Sequence, residues 1–316
     1  MATALLVPLL LVPLLLPFAV APLARRVLAH LAPVPALWVL TVGAAALTGC
    51  SLAALGGFLL TGLLKLPLFA ELDHLVHPLR TPSDYIVVPA AAAAVGALTV
   101  TAWTIARWAL RQSRHLRTAR SAADRRPAAG DLCVLESPYP DAYALPGKPN
   151  RIVVTTAMLR SLGPGEREAL FAHERAHNAG RHHYFLAVAE LAAHCHPALR
   201  PARAAIRLAV ERVADESAAA AVGDRRLTAR AIGRAALAGR STTATRRPPL
   251  APAATTGPVP QRVAALLAPP RRGRRAAAVG AGLLLAVCVT ASAGAVTTGA
   301  LAVHHEVEVA QGEARR

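Results

Sequence analysis

Residues 31–64 read LAPVPALWVLTVGAAALTGCSLAALGGFLLTGLL and contain no Asp, Glu, Lys or Arg. A helix that crosses a bilayer needs about 20 consecutive apolar residues, so this run is long enough to form one. Pro33 and Pro35 favour a helix that begins after them, and we expect the span at about residues 36–64. Backbone N–H and C=O groups inside hydrocarbon must be hydrogen bonded within the segment, which makes the span helical.

Three other runs of the chain also lack charged residues, at residues 2–24, 85–106 and 276–303. The mean hydropathy is +0.40 and 54% of the residues are hydrophobic, which excludes a disordered chain and disfavours an ordinary soluble enzyme. The first run could also be a cleaved signal peptide, because residues 19–21 (AVA) resemble a cleavage site. A retained anchor is favoured, because no basic residue precedes the run whereas Arg25 and Arg26 follow it. We therefore predict a mainly α-helical, integral membrane protein with four transmembrane helices.

Arginine placement predicts the side of the membrane on which each loop lies. Basic residues follow the first and third runs and precede the fourth, whereas the loop at residues 65–84 carries more acidic than basic residues. Because basic residues are retained on the cytoplasmic side, we expect residues 107–275 in the cytosol and both termini outside. The sequence therefore predicts a multi-pass protein of the cell membrane, with the lipid bilayer as one partner.

The predicted organisation has four parts. Residues 1–106 carry three spans, residues 107–275 form one cytosolic domain, residues 276–303 form the fourth span, and residues 304–316 are a short extracytoplasmic tail. The cytosolic part has the length of a single domain.

Within the cytosolic part, apolar alternation predicts two strands, at residues 131–136 and 151–156, joined by a turn-rich stretch. Apolar periodicity and terminal Pro and Gly signals predict helices at residues 164–180, 184–195, 202–222, 225–238 and 261–267. Residues 241–260 are rich in Thr, Pro and Ala and are predicted to be a flexible loop. The domain between the third and fourth spans is therefore predicted to be α+β.

The net charge of +17 is also typical of proteins that bind nucleic acids. Much of this charge lies beside the spans, where it sets topology and meets anionic lipid. The chain has no aromatic-interleaved basic patch and no known nucleic-acid-binding signature. Direct binding of nucleic acid is therefore not expected.

One motif carries chemistry: HERAH at residues 173–177, in the middle of the first predicted cytosolic helix. Residues four apart share a helical face, so His173 and His177 can bind the same metal ion. Glu174 lies next to His173, close enough to reach a water on the metal without ligating it. This is the H-E-x-x-H arrangement of zinc peptidases. The alternative is a surface helix with two solvated histidines.

Two acidic residues on a later predicted helix extend the motif. The chain between His177 and Glu211 is long enough for one helix and a return. A helix that packs antiparallel to the HERAH helix would therefore bring Glu211 to the metal. Asp215, one turn later on the same face, is placed to accept a hydrogen bond from the other nitrogen of a ligating imidazole, which fixes the tautomer. The alternative is an ordinary solvated carboxylate pair.

These motifs resemble those of the gluzincin membrane peptidases. Residues 173–177 followed by residues 211–215 look like this group, and residues 181–218 are similar to the BlaR/MecR-type metallopeptidases of antibiotic sensing. Residues 142–156 are similar both to these and to the HtpX/CAAX-protease group. A peptidase segment between the third and fourth spans also matches the BlaR/MecR membrane layout.

The resemblance implies a gluzincin-like domain in which His173, His177 and Glu211 hold Zn²⁺ and Glu174 acts as the general base. Two imidazoles and a carboxylate suit zinc well. In similar peptidases an extended substrate pairs with an edge strand beside the site, and residues 151–156 are the candidate here. Four side chains are candidate donors to the oxyanion, and the sequence does not choose among Tyr184, His182, His183 and Arg207.

The expected function is hydrolysis of peptide bonds in a cytosolic or membrane-associated protein, with a transcriptional repressor as the substrate by family analogy. The antibiotic sensors carry a penicillin-binding domain after the last span, where this chain has only residues 304–316, so β-lactam sensing is not expected. The alternatives are HtpX-like quality control of membrane proteins and a non-proteolytic signalling scaffold. An intact Glu174 disfavours the scaffold.

Overall fold

The computed structural model describes residues 2–63, 84–126, 129–239, 258–269 and 275–311. In this part of the chain the protein is mainly helical and has one small sheet.

The first predicted span, at residues 2–24, is interrupted. The chain forms, in order, α1 Ala2–Leu15, a 3₁₀ turn Leu16–Ala19 and α2 Val20–His30. Pro17 lies in the turn, and because proline has no N–H it cannot donate the usual helical hydrogen bond to Pro13 O. The hydroxyl of Ser51, from the next helix, lies 2.9 Å from Pro13 O and 2.8 Å from Leu47 O, so its one hydrogen can be donated to either carbonyl. Proline therefore explains both the break and the tie to the neighbouring helix.

The second and third predicted spans are continuous helices, α3 (Pro33–Leu63) and α4 (Asp84–Asp124). α3 begins at Pro33, earlier than predicted, because the first helical turn tolerates proline, whose missing N–H has no partner there in any case. α4 continues without interruption from the apolar run into the basic residues that follow it. The predicted loop between the two helices lies outside the described residues, except for Asp84.

A three-stranded sheet follows, with strands β1 Leu132–Leu135, β2 Ala142–Leu145 and β3 Arg151–Thr155. The central strand β3 pairs in parallel with β1 and antiparallel with β2. The prediction that residues 151–156 form an edge strand is therefore wrong, since both sides of β3 are already hydrogen bonded. β2 lies in the stretch predicted as turns. Its two alanines have low strand propensity, and its pairing and burial define it instead.

The remaining helices are α5 Thr156–Ser161, α6 Pro164–Ala179, α7 His182–Cys195, α8 Arg200–Val222, α9 Arg225–Gly239, α10 Val259–Leu267 and α11 Arg275–Gln311. α5 has no counterpart in the prediction, and the Thr155 hydroxyl accepts the Met158 N–H at its start. α6 begins as predicted, with the Glu166 carboxylate accepting the Gly163 N–H at 2.8 Å.

The last two helices differ from their predicted bounds. α10 begins at Val259, inside the predicted loop, and residues 240–257 of that loop lie outside the described part of the chain. α11 continues past the predicted end at residue 303. By length and composition, four stretches can cross a membrane, at Val7–His30, Pro33–Leu63, Tyr85–Asp124 and Gly282–Gly299. The mainly helical fold with apolar helices able to span a bilayer is thus confirmed.

α7 and α8 pack against helices of the predicted membrane part. One apolar cluster combines Leu37, Leu40 and Leu47 of α3 with Leu186 of α7 and Ile206 of α8. All five side chains are buried. The segment predicted as a separate cytosolic domain therefore shares a core with α3.

The turn between α7 and α8 also contacts the break in the first span. His196 Nδ1 accepts the Ala198 N–H at 3.3 Å, so its Nε2 carries the hydrogen and donates to Leu14 O at 3.1 Å. The turn between α7 and α8 is thus attached to α1, in addition to the contacts of these two helices with α3.

Candidate metal centre

Two helices supply the candidate ligands. α6 carries His173, Glu174 and His177, and α8 carries Glu211 and Asp215. All five side chains are buried, although all five belong to residue types that are normally exposed or half-exposed. Solvated surface roles, which were the alternatives for these residues, therefore do not apply.

The three predicted ligands converge. His173 Nε2 and His177 Nε2 are 3.0 Å apart, and the Glu211 carboxylate oxygens lie 3.5 Å from the first and 3.8 Å from the second. One ligand atom from each residue falls within 4.8 Å of the others. Such a group of two imidazoles and one carboxylate is able to hold a metal ion.

Asp215 lies behind His173. Its Oδ1 is 3.0 Å from His173 Nδ1. This carboxylate favours the tautomer that carries its hydrogen on Nδ1, in which the neutral ring presents the Nε2 lone pair to His177 and Glu211. Metal-binding histidines are oriented in this way by carboxylates.

His182 lies behind His177 in the same manner, with the two Nδ1 atoms 2.8 Å apart. Arg181, which has a left-handed backbone with φ of 49°, turns the chain from α6 into α7 and brings His182 back onto His177. Burial lowers the pKa of His182 to about 4 and that of His177 well below its ordinary value, so both rings are neutral near pH 7. When His177 donates from Nδ1, its Nε2 lone pair also faces the centre.

Arg262 completes the cluster from α10. Its Nη1 is 3.0 Å from Glu211 Oε2, while Nε and Nη2 lie 2.8 and 2.6 Å from the two Asp215 oxygens. Sequence reasoning missed this residue. A signal was present, because Arg262 occupies the same helical stripe as the apolar Val259, Val263 and Leu266.

The electrostatics of the cluster favour a cation at its centre. Burial alone would lower the pKa of His173, but Asp215 and Glu211 outweigh it and raise that pKa to about 9. A proton on His173 therefore occupies the position that a metal ion would take. Once that proton is lost, both imidazoles can direct lone pairs to one buried point beside a carboxylate, so the donor set fits Zn²⁺.

The predicted candidates for the oxyanion donor are not all brought to this cluster. His182 serves His177 instead. Arg207 pairs with Glu190, which lies outside the cluster. The Tyr184 side chain is 61% exposed and its ring stacks on His183, with centroids 4.1 Å apart. None of these three contacts involves Glu211 or His173 Nε2.

Comparison with known families agrees with this chemistry. Residues 108–199 match the sequence model of peptidase family M48. The match includes the HERAH motif and ends before Glu211. No curated protein and no solved structure matches the chain. M48 peptidases are metal-dependent, so the match and the apolar helices together support a membrane-associated metallopeptidase.

Proposed function

We propose that this protein is a membrane-anchored zinc endopeptidase that hydrolyses peptide bonds of a cytosolic or membrane-associated protein. The observation that carries the proposal is the buried convergence of His173, His177 and Glu211, with the other nitrogen of each imidazole already engaged. The M48 match over the HERAH motif supports the same reaction.

His173, His177 and Glu211 would hold the metal through two Nε2 atoms and a carboxylate. Zn²⁺ bound there lowers the pKa of a bound water towards 7 and polarises a peptide carbonyl. Asp215 and His182 keep both Nε2 atoms available as lone-pair donors by holding hydrogens at the Nδ1 positions.

Glu174 is the general base in this proposal. It is buried beside His173 on α6 and interacts electrostatically with Arg262. Its carboxylate accepts the proton of the attacking water and passes that proton to the leaving amine. The position next to a metal ligand keeps it close to the reacting atoms without making it a ligand itself.

Substrate would bind along β2 rather than β3. β2 stands at one end of the sheet order, and its Ala142 packs in the same apolar cluster as Leu170 of α6. Since substrates of similar peptidases pair with a strand at the end of a sheet, β2 is the candidate for main-chain pairing with an extended peptide.

The membrane layout favours a regulatory substrate at the cytoplasmic face. Arginines that follow the first and third spans and precede the fourth support a catalytic part in the cytosol and termini on the outside. The BlaR/MecR-like order of spans and peptidase segment supports a transcriptional repressor as the substrate. HtpX-like quality control predicts membrane proteins as substrates instead.

The Glu174→Gln protein tests the reaction and identifies the substrate. We expect it to retain zinc, to lose at least about 100-fold in cleavage rate, and to hold uncleaved substrate that mass spectrometry identifies after purification. Glu168→Gln, at an exposed glutamate on the same helix, is the matched control and should cleave at the wild-type rate. Undiminished cleavage by Glu174→Gln would contradict the general-base role.

A further inference from the structure

Arg262 is buried to an unusual degree, with none of its surface exposed. α10 delivers it by packing Val259, Val263 and Leu266 against Ala219 of α8 and against Ile232 of α9. Burying a guanidinium is strongly unfavourable unless charged partners and hydrogen bonds compensate for lost water. The contacts of Arg262 must therefore account for its position.

Those contacts tie together both acidic residues of α8. Two nitrogens of the guanidinium engage Asp215 as a fork, at 2.8 and 2.6 Å, and the third nitrogen lies 3.0 Å from Glu211 Oε2. Asp215 Oδ1 in turn contacts His173 Nδ1 at 3.0 Å. One cation thus acts on a candidate ligand directly and on another through an intervening carboxylate.

The charges of the buried centre agree with this arrangement. Glu174, Glu211 and Asp215 together bring three negative charges into a volume that excludes water. Arg262 supplies one positive charge, and a divalent cation held by His173, His177 and Glu211 supplies the other two. Without the guanidinium, the metal-loaded centre would carry an uncompensated buried carboxylate, which is costly.

We propose that Arg262 is the positioning residue of the metal centre: it holds Glu211 towards the two imidazoles and holds Asp215 against His173. This inference rests on the proposed function, because it assumes that the cluster binds a metal. Arginine is required because its planar fork engages both carboxylates at once, whereas a lysine ammonium at the end of a flexible stem cannot reproduce the fork.

The test compares Arg262→Met and Arg262→Lys with the wild type as full-length protein in detergent. Zinc affinity is measured by competition with a chelator, and the Co²⁺-substituted proteins are compared by visible absorption, which reports the ligand set. We expect Arg262→Met to bind zinc about 10- to 100-fold more weakly and to change the Co²⁺ spectrum in the same direction as Glu211→Gln. Arg262→Lys should fall between Arg262→Met and the wild type.

The matched control is Arg234→Met, which removes an arginine that pairs with Glu166 at the start of α6, 3.0 Å away. It should keep the zinc affinity and Co²⁺ spectrum of the wild type. Combining Arg262→Met with Glu211→Gln should cost less than the sum of the two single changes, since Arg262 acts partly through Glu211.

The outcomes separate the two proposals. A wild-type protein that binds no zinc contradicts the proposed function. A wild type that binds zinc, with either folded Arg262 variant matching its affinity and spectrum, overturns the positioning role alone. If Arg262→Met does not fold, Arg262→Lys decides, because it keeps the positive charge. If neither folds while Arg234→Met does, Arg262 supports the fold rather than the metal centre, and the inference fails.

Discussion

Glu211 is the proposed ligand whose position depends on tertiary structure, because it comes from α8 whereas both histidines come from α6. Replacing Glu211 with Ala removes the only carboxylate within 4 Å of both Nε2 atoms among the described residues. We expect zinc affinity to fall by more than about 100-fold. This loss is larger than the loss of about 10- to 100-fold expected when a residue that only orients a ligand is removed. Metal content after dialysis measures this.

Glu216→Ala on the same helix serves as the control, since Glu216 pairs with Arg225 away from the ligands. It should retain zinc at the wild-type level. Equal zinc content in Glu211→Ala and the wild type would remove Glu211 from the ligand set.

The parts of this site differ in how far sequence predicts them. A spacing of four residues predicts that His173 and His177 share a face, because that relation is local to one helix. Glu211 required a resemblance and a guess about helix packing. His182 and Arg262 were not predictable as partners, since the first depends on a left-handed turn and the second on the docking of a distant helix.

At the scale of elements, the turn between α6 and α7 sets the position of His182. Gly180 closes α6 as predicted, yet its φ of −76° is open to any residue. Space, not backbone freedom, demands glycine here: a Cβ on Gly180 would lie 2.5 Å from His182 Nε2. The sequence signals of a helix end predict a glycine at position 180. They do not predict that the His182 ring packs against it.

Gly180→Ala should therefore displace His182 from His177. We expect the free energy of unfolding to fall by about 1–3 kcal/mol, as for other overpacked sites, together with weaker zinc binding. Thermal unfolding with and without chelator measures both effects. Gly233→Ala is the control, since nothing lies within 4 Å of a Cβ at that position of α9, and it should stabilise the protein by up to about 1 kcal/mol. A Gly180→Ala protein as stable as the wild type would show that the turn tolerates a methyl group.

At the scale of the whole molecule, apolar runs predict the long apolar helices well, because this signal is local to the sequence. The sequence does not predict that α7 and α8 share a core with α3. Apolar periodicity shows which face of a helix is buried, but it does not show which distant helix packs against that face. The small sheet was predicted in part, since β1 and β3 lie within the two stretches predicted as strands whereas the alanine-rich β2 lies in the stretch predicted as turns.

Residues 107–275 produced alone should therefore not behave as an independent domain. Without α3, the faces that carry Leu186 and Ile206 would be exposed to water, and we expect aggregation and little bound zinc. Size-exclusion chromatography and metal analysis against the full-length protein in detergent provide the comparison. A monodisperse fragment that binds zinc like the whole chain would contradict the shared core.

The proline break in the first helix makes this dependence mutual. Because Pro17 has no N–H, Pro13 O lacks its usual helical donor. The side chains of Ser51 and His196 contact Pro13 O and Leu14 O, respectively. Removal of residues 107–275 would remove the contact of His196 with Leu14 O. That carbonyl lies in a stretch able to span a membrane, where an unpaired backbone acceptor is unfavourable. The structure of the first helix therefore depends on a residue of the segment that follows the third span. Its interrupted end is stabilised in turn by the segment that carries the candidate metal centre.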